Sequence, residues 1–136
     1  MNKTRVFGYV GILAVLLAAF LLMGASCSIS TANVQNVVTA TSVGSDGRPV
    51  NSVTEFAVNT PVYVSAELHN APEGTNVTFQ WYSGDTKLDE ATVTNTMTDQ
   101  YVSSHVPGIT LAGNFKVEIY VDNREEPDAT VAFTVK

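Results

Sequence analysis

Two rhythms divide the chain. From Val6 to Met23 it runs apolar without a single charge, whereas from residue 34 onward apolar and polar positions change places almost one by one. Alternation with a period of two marks a strand with one buried face, because successive side chains leave a strand on opposite sides. In "PVYVSAEL" (61–68) Val62, Val64, Ala66 and Leu68 share one face against Tyr63, Ser65 and Glu67. In "NVTFQWY" (76–82) Val77, Phe79 and Trp81 oppose Thr78, Gln80 and Tyr82. "NFKVEIYV" (114–121) sets Phe115, Val117, Ile119 and Val121 against Lys116, Glu118 and Tyr120, and "TVAFTVK" (130–136) repeats the pattern with Val131, Phe133 and Val135. The expected core therefore centres on Phe79, Trp81, Phe115, Val117, Ile119 and Phe133.

Segments rich in Gly, Pro, Asn and Asp separate these runs: "GSDGRP" (44–49), "NAPEGTN" (70–76), "SGD" (83–85), "VPG" (106–108) and "DNREEPD" (122–128). Such residues accept or fix the backbone angles of turns. The pattern predicts strands at 34–43, 61–68, 76–82, 90–97, 100–106, 114–121 and 129–136, with 86–88 compatible with a further short one. Between 91 and 106 the apolar phase changes, from Val93 and Met97 to Val102 and Val106, which predicts a break or bulge near Asp99. About seven strands joined by short turns predict an all-β antiparallel sandwich or barrel.

Charge narrows the range of partners. The whole chain carries a net of −6, and once Lys3 and Arg5 are set aside the remainder has five Lys/Arg against thirteen Asp/Glu, a net of −8. So acidic a module repels phosphate backbones, and no nucleic acid partner is expected. The single cysteine, Cys27, leaves no intramolecular disulfide, so the folded part must be held by its core alone.

The basic start "MNKTR", the apolar run and the small residues Gly24, Ala25 and Ser26 form the order of a secretory signal. The run is also near the length of a membrane-spanning helix, so an uncleaved anchor stays open beside cleavage. With Ala25 and Ser26 directly before Cys27, the segment resembles a prokaryotic lipoprotein signal peptide. That resemblance implies lipidation at Cys27 and an extracytoplasmic, membrane-anchored address on the cell surface or periplasmic face. The expected division is a signal or anchor helix at 1–26, a short tether at 27–33 and the folded domain at 34–136.

"VYVSAELHNAPEGTNVTFQWY" (62–82) and "GNFKVEIYVDN" (113–123) carry a second resemblance, to the immunoglobulin-like domains of prokaryotic cell-surface lipoproteins. It implies a seven-strand antiparallel β-sandwich with Trp81 in its core. The aromatic after Gly113 is Phe115, not Tyr, so the hydroxyl bond common at that corner is absent.

Candidate chemistry is sparse. His69 and His105 stand at strand ends with no H-x-x-x-H or H-E-x-x-H spacing, and read as exposed side chains. The acids of "DNREEPD" could gather oxygens for Ca²⁺, but the loop lacks the Asp-x-Asp-x-Asp-Gly order and holds Arg124, so a solvated hairpin loop is the favoured reading. Asp89 and Glu90 are adjacent, and an extended backbone would send them to opposite sides. With no catalytic constellation, metal site or cofactor motif, the expectation is a non-enzymatic module. The residues for it are Tyr63, Tyr82 and Tyr120, which lie opposite the apolar stripes and offer a candidate binding face. The expected function is recognition of a protein or glycan from a membrane tether. The alternatives are an accessory subunit of a cell-envelope complex and a small carbohydrate-binding module.

Overall fold

The structure, a computed structural model, describes residues 31–136. The signal or anchor helix and Cys27 lie outside the described residues. Those described form nine strands and no helix: β1 (Asn33–Val43), β2 (Pro49–Ser52), β3 (Glu55–Phe56), β4 (Val62–His69), β5 (Asn76–Ser83), β6 (Thr86–Thr94), β7 (Gln100–Val106), β8 (Gly113–Val121) and β9 (Ala129–Val135). The described residues are all-β, in two sheets. The first has the order β2-β1-β4-β7 and the second β3-β9-β8-β5-β6. Every pairing is antiparallel except β3 with β9, which is parallel.

Alternation decides what each sheet buries. Val62, Val64, Ala66 and Leu68 of β4 meet Val77, Phe79 and Trp81 of β5 and Phe115, Val117, Ile119 and Val121 of β8 in one core. Phe133 of β9 is its aromatic hub: it stacks on Phe115 at 5.5 Å and presents edges to Phe56 at 5.7 Å and Trp81 at 6.0 Å. Ala32 is also buried, one residue before β1 begins.

Ser65 breaks the rhythm, being buried although its position faces outward. The loop between β1 and β2 folds over it, and its hydroxyl donates to the Gly47 carbonyl at 2.6 Å. Gly47 has φ 82°, and a Cβ there would come within 3.1 Å of the Tyr101 Cβ, so both backbone angle and close approach call for glycine.

The strand expectations need three corrections. Two short strands, β2 and β3, arise from pairing with β1 and β9, and neither is long enough to show alternation in sequence. The runs at 86–88 and 90–97 are one strand, β6, which ends at Thr94. The break near Asp99 is a crossing between sheets, because β6 belongs to the second and β7 to the first. Asn95 secures that crossing. Buried at 1% exposure, its amide donates to the carbonyls of Ala71 and Met97, and its side-chain oxygen accepts from the Thr75 N–H at 2.7 Å.

Candidate functional site

Trp81 is inward-facing on β5, and the residue opposite it on β6 is Asp89. Directly opposed residues of an antiparallel pair share a face. A carboxylate thus takes up the core-facing phase of β6, which Val93 and Ala91 hold further along the strand. One step on, the register slips: Tyr82 pairs with Lys87, leaving Leu88 as an extra residue on β6. A bulge of this kind re-aims side chains, and here it brings Leu88 to the same opening as Asp89.

The other wall is the loop 107–112 between β7 and β8. Its base is pinned, since the Asn59 N–H donates to the Ile109 carbonyl at 2.9 Å and a Cβ on Gly108 would come within 3.0 Å of the Asn59 backbone. Its tip carries Leu111, 74% exposed. Between loop and strand lies a cavity of about 460 Å³, floored by Trp81, Phe115 and Phe133 and rimmed by Leu88, Ile109 and Leu111, with Tyr82 and Asp89 beside them. That volume is in the range of small-molecule sites, which are mostly apolar with a few placed polar groups. The Trp81 indole N–H is sealed from solvent and has no hydrogen-bond partner among the described residues. Asp89 accepts the Glu90 N–H at 2.8 Å and has no cationic partner among the described residues.

Of the three tyrosines of the candidate face, Tyr82 and Tyr120 stand on the neighbouring strands β5 and β8 of the second sheet, and Tyr63 lies on β4 of the first. Alternation tells which face of a strand is buried but not which sheet the strand joins. Each tyrosine is also engaged: Tyr63 stacks on His105 at 4.9 Å, the Tyr82 hydroxyl donates to Gln80 at 2.6 Å with Lys116 over its ring, and the Tyr120 hydroxyl donates to Glu118 at 2.8 Å. The bond from Tyr120 holds the Glu118 carboxyl below its ordinary value, and the Tyr120 phenol is pushed up to about 12 in return.

The outer face of the first sheet gathers a second polar group. Glu67 accepts from Asn36 at 2.6 Å and from Tyr101 at 2.8 Å, and His69 stands 3.4 Å from both Glu67 and Asp99. The bonds from Asn36, Tyr101 and His69, in that order, hold the Glu67 carboxyl below its ordinary value. Tyr101 is raised by its bond to Glu67. A histidine between two carboxylates beside a cavity of about 300 Å³ goes beyond an exposed strand end, although no nucleophile completes it among the residues lining that cavity. The sequence held half the signal, because Glu67 and His69 are two apart on one strand and so share a face. Asp99 arrives from across the sheet crossing.

Elsewhere the acids are spread out. Asp128 pairs with Arg124 and accepts the Val121 N–H at 2.9 Å, Asp122 accepts the Asn76 N–H at 3.2 Å, and Glu125 and Glu126 are exposed. Among the described residues no group of three or more His, Cys, Asp or Glu is arranged to hold a metal ion.

No family model matches the chain, and no curated protein does. Solved structures do resemble it. A Pseudomonas fluorescens alkylpurine DNA glycosylase, AlkC, bound to DNA containing an abasic site analog, superposes with a TM-score of 0.51 at 11% identity. The likeness covers 79% of this chain and 31% of that one, so this chain spans about a third of its neighbour's length. At that identity the likeness shows the fold alone.

It nonetheless corrects the functional expectation. That expectation rested on the missing catalytic constellation, the outward tyrosines and the N-terminal segment, and a similar fold forms part of a DNA glycosylase bound to DNA. Recognition of a protein or glycan from a tether, with its alternatives of an envelope-complex subunit and a carbohydrate-binding module, is withdrawn.

Proposed function

We propose that residues 31–136 are an immunoglobulin-like domain that binds a small, largely apolar molecule in the cavity between β6 and loop 107–112. The parallel pairing of β3 with β9, the central β8–β5 pair and the buried Trp81 on β5 support the immunoglobulin-like assignment. The observation that carries the binding reading is the cavity itself: aromatic floor, apolar rim and about 460 Å³, held open by a bulge on one side and a pinned loop on the other. The reading is non-enzymatic and needs no cofactor. Trp81 is the chain's only tryptophan, so its emission reports directly on the cavity. Toluene added to the full chain is expected to change that emission saturably, and Ala112→Phe, which enlarges a side chain lining the cavity, to abolish the change. An emission indifferent to toluene, or a response untouched by the substitution, would defeat the proposal.

A second reading is DNA contact, favoured by what the neighbouring structure is bound to. The charges oppose it. All five cations of the described residues face carboxylates: Arg48 on Asp46, Lys87 on Glu90, Lys116 on Glu118, Arg124 on Asp128 and Lys136 on Glu55. Phosphate contact works by Lys and Arg displacing counterions, so binding that weakens steeply with salt would revive this reading.

Attachment at Cys27, and with it an extracytoplasmic, membrane-anchored address typical of a prokaryotic lipoprotein, completes the proposal on the strength of "LLMGASCSIS" (21–30). Partition of the full chain into detergent, lost in Cys27→Ser, supports lipidation, and partition retained in that variant points to the uncleaved helix instead.

A further inference from the structure

We infer that the cavity selects ligands carrying a positive charge beside an apolar body, and that Asp89 is the residue that selects them. This rests on the proposed small-molecule site and specifies its ligand class.

Position supplies the first part of the argument. Cross-strand pairing sets Asp89 opposite Trp81, in the phase of β6 that elsewhere turns to the core, and Asp89 lines the cavity. Asp89 is exposed at the cavity's edge, whereas Ala91 and Val93 hold the same phase half-buried further along the strand.

Neutralisation supplies the second. Glu90, the next residue, is matched by Lys87 at 2.7 Å on the opposite side of the strand. The other ammonium nearby, Lys116, lies over the Tyr82 ring and pairs with Glu118. No cation among the described residues reaches Asp89, and one backbone N–H is its only hydrogen-bond donor among them. The carboxylate therefore stands at an apolar opening with an oxygen to offer.

Ring chemistry points the same way. Trp81, Tyr82, Phe115 and Phe133 all border the cavity, and aromatic faces attract cations through their quadrupole. A primary amine on an aromatic or branched aliphatic body would put its charge against Asp89 and its apolar part on the Trp81 floor.

Three probes of one shape separate the effects: benzylamine, cationic at neutral pH, benzyl alcohol, and benzoate. Titrated against the full chain through Trp81 emission, benzylamine is expected to bind roughly two- to fivefold tighter than benzyl alcohol, the gain of one exposed ion pair. Benzoate is expected to bind weakest. Asp89→Asn removes the charge and keeps the shape at an exposed position, and is expected to erase the preference for benzylamine over benzyl alcohol. Equal affinities in the parent chain, or a benzylamine preference that survives Asp89→Asn, would overturn the inference while toluene binding still upheld the site. If none of the probes nor toluene binds, the site itself is refuted.

Discussion

On the outer face of the first sheet, the polar tips around Glu67 find partners: Asn36 and Tyr101 donate to its two oxygens, and His69 stands beside it. At the end cavity the sealed Trp81 indole N–H has no partner among the described residues, and the exposed Asp89 carboxylate accepts one backbone N–H. A buried donor left unmade costs about 1–3 kcal/mol, so folding alone gives no reason to retain one. A half-buried tyrosine whose hydroxyl is bonded to a neighbour is explained by the sheet it stabilises, whereas an indole N–H sealed without a partner among the described residues is not explained by the fold.

The largest expected effect lies under the cavity. Trp81→Ala should destabilise the fold by about 3–5 kcal/mol, whereas Trp81→Phe should cost much less, because it leaves a smaller hole and also removes the unpaired N–H. Urea unfolding of both variants measures the gap, and equal losses would show that ring volume at this position does not set the cost.

Next comes a buried polar group that is satisfied. Asn95→Ala takes the amide donor from the carbonyls of Ala71 and Met97 and leaves the Thr75 N–H only the Pro72 carbonyl at 3.1 Å, and should cost about 2–3 kcal/mol by the same measurement. A negligible loss would mean that the sheet crossing does not depend on Asn95.

The outer faces should show in pH dependence more than in stability at neutral pH. Glu67 is held below its ordinary value, so the folded state binds fewer protons there than the unfolded chain does. Its contribution is complete above about pH 4.3 and is lost as pH falls through the lowered value. Glu67→Gln should flatten that acid limb. Tyr120, pushed up to about 12, acts in reverse: its contribution is complete below about pH 10 and fades as pH rises toward the raised value, and Tyr120→Phe should flatten the alkaline limb. Unfolding midpoints followed across pH check both signs.

The smallest stability effect belongs to the cavity's rim. Leu111→Ser, at an exposed site, should change stability by less than about 0.5 kcal/mol yet weaken toluene binding severalfold. Toluene affinity unchanged in that variant would remove loop 107–112 from the site.

Much of the fold could be read from the sequence because alternation is a local property. β4, β5, β8 and β9 fall within a residue or so of their expected bounds, and Phe79, Trp81, Phe115, Val117, Ile119 and Phe133 lie in the core. Partner choice is not local. β2 and β3 exist through their pairings, and Tyr63 parted from Tyr82 and Tyr120 because its strand joined the other sheet. The candidate site did leave one trace: following the phase of Val93 and Ala91 back along β6 leads to Asp89, an exposed charge opposite Trp81. The bulge at Leu88 ends that phase one residue further on.

The most direct test of the account is the indole N–H resonance of Trp81, the single tryptophan, observed in the ¹⁵N-labelled chain during titration with benzylamine. The account predicts a saturable shift of that resonance, with backbone amides around Tyr63 and Tyr120 unmoved. A resonance that stays in place while the amides of the outer faces shift would contradict it.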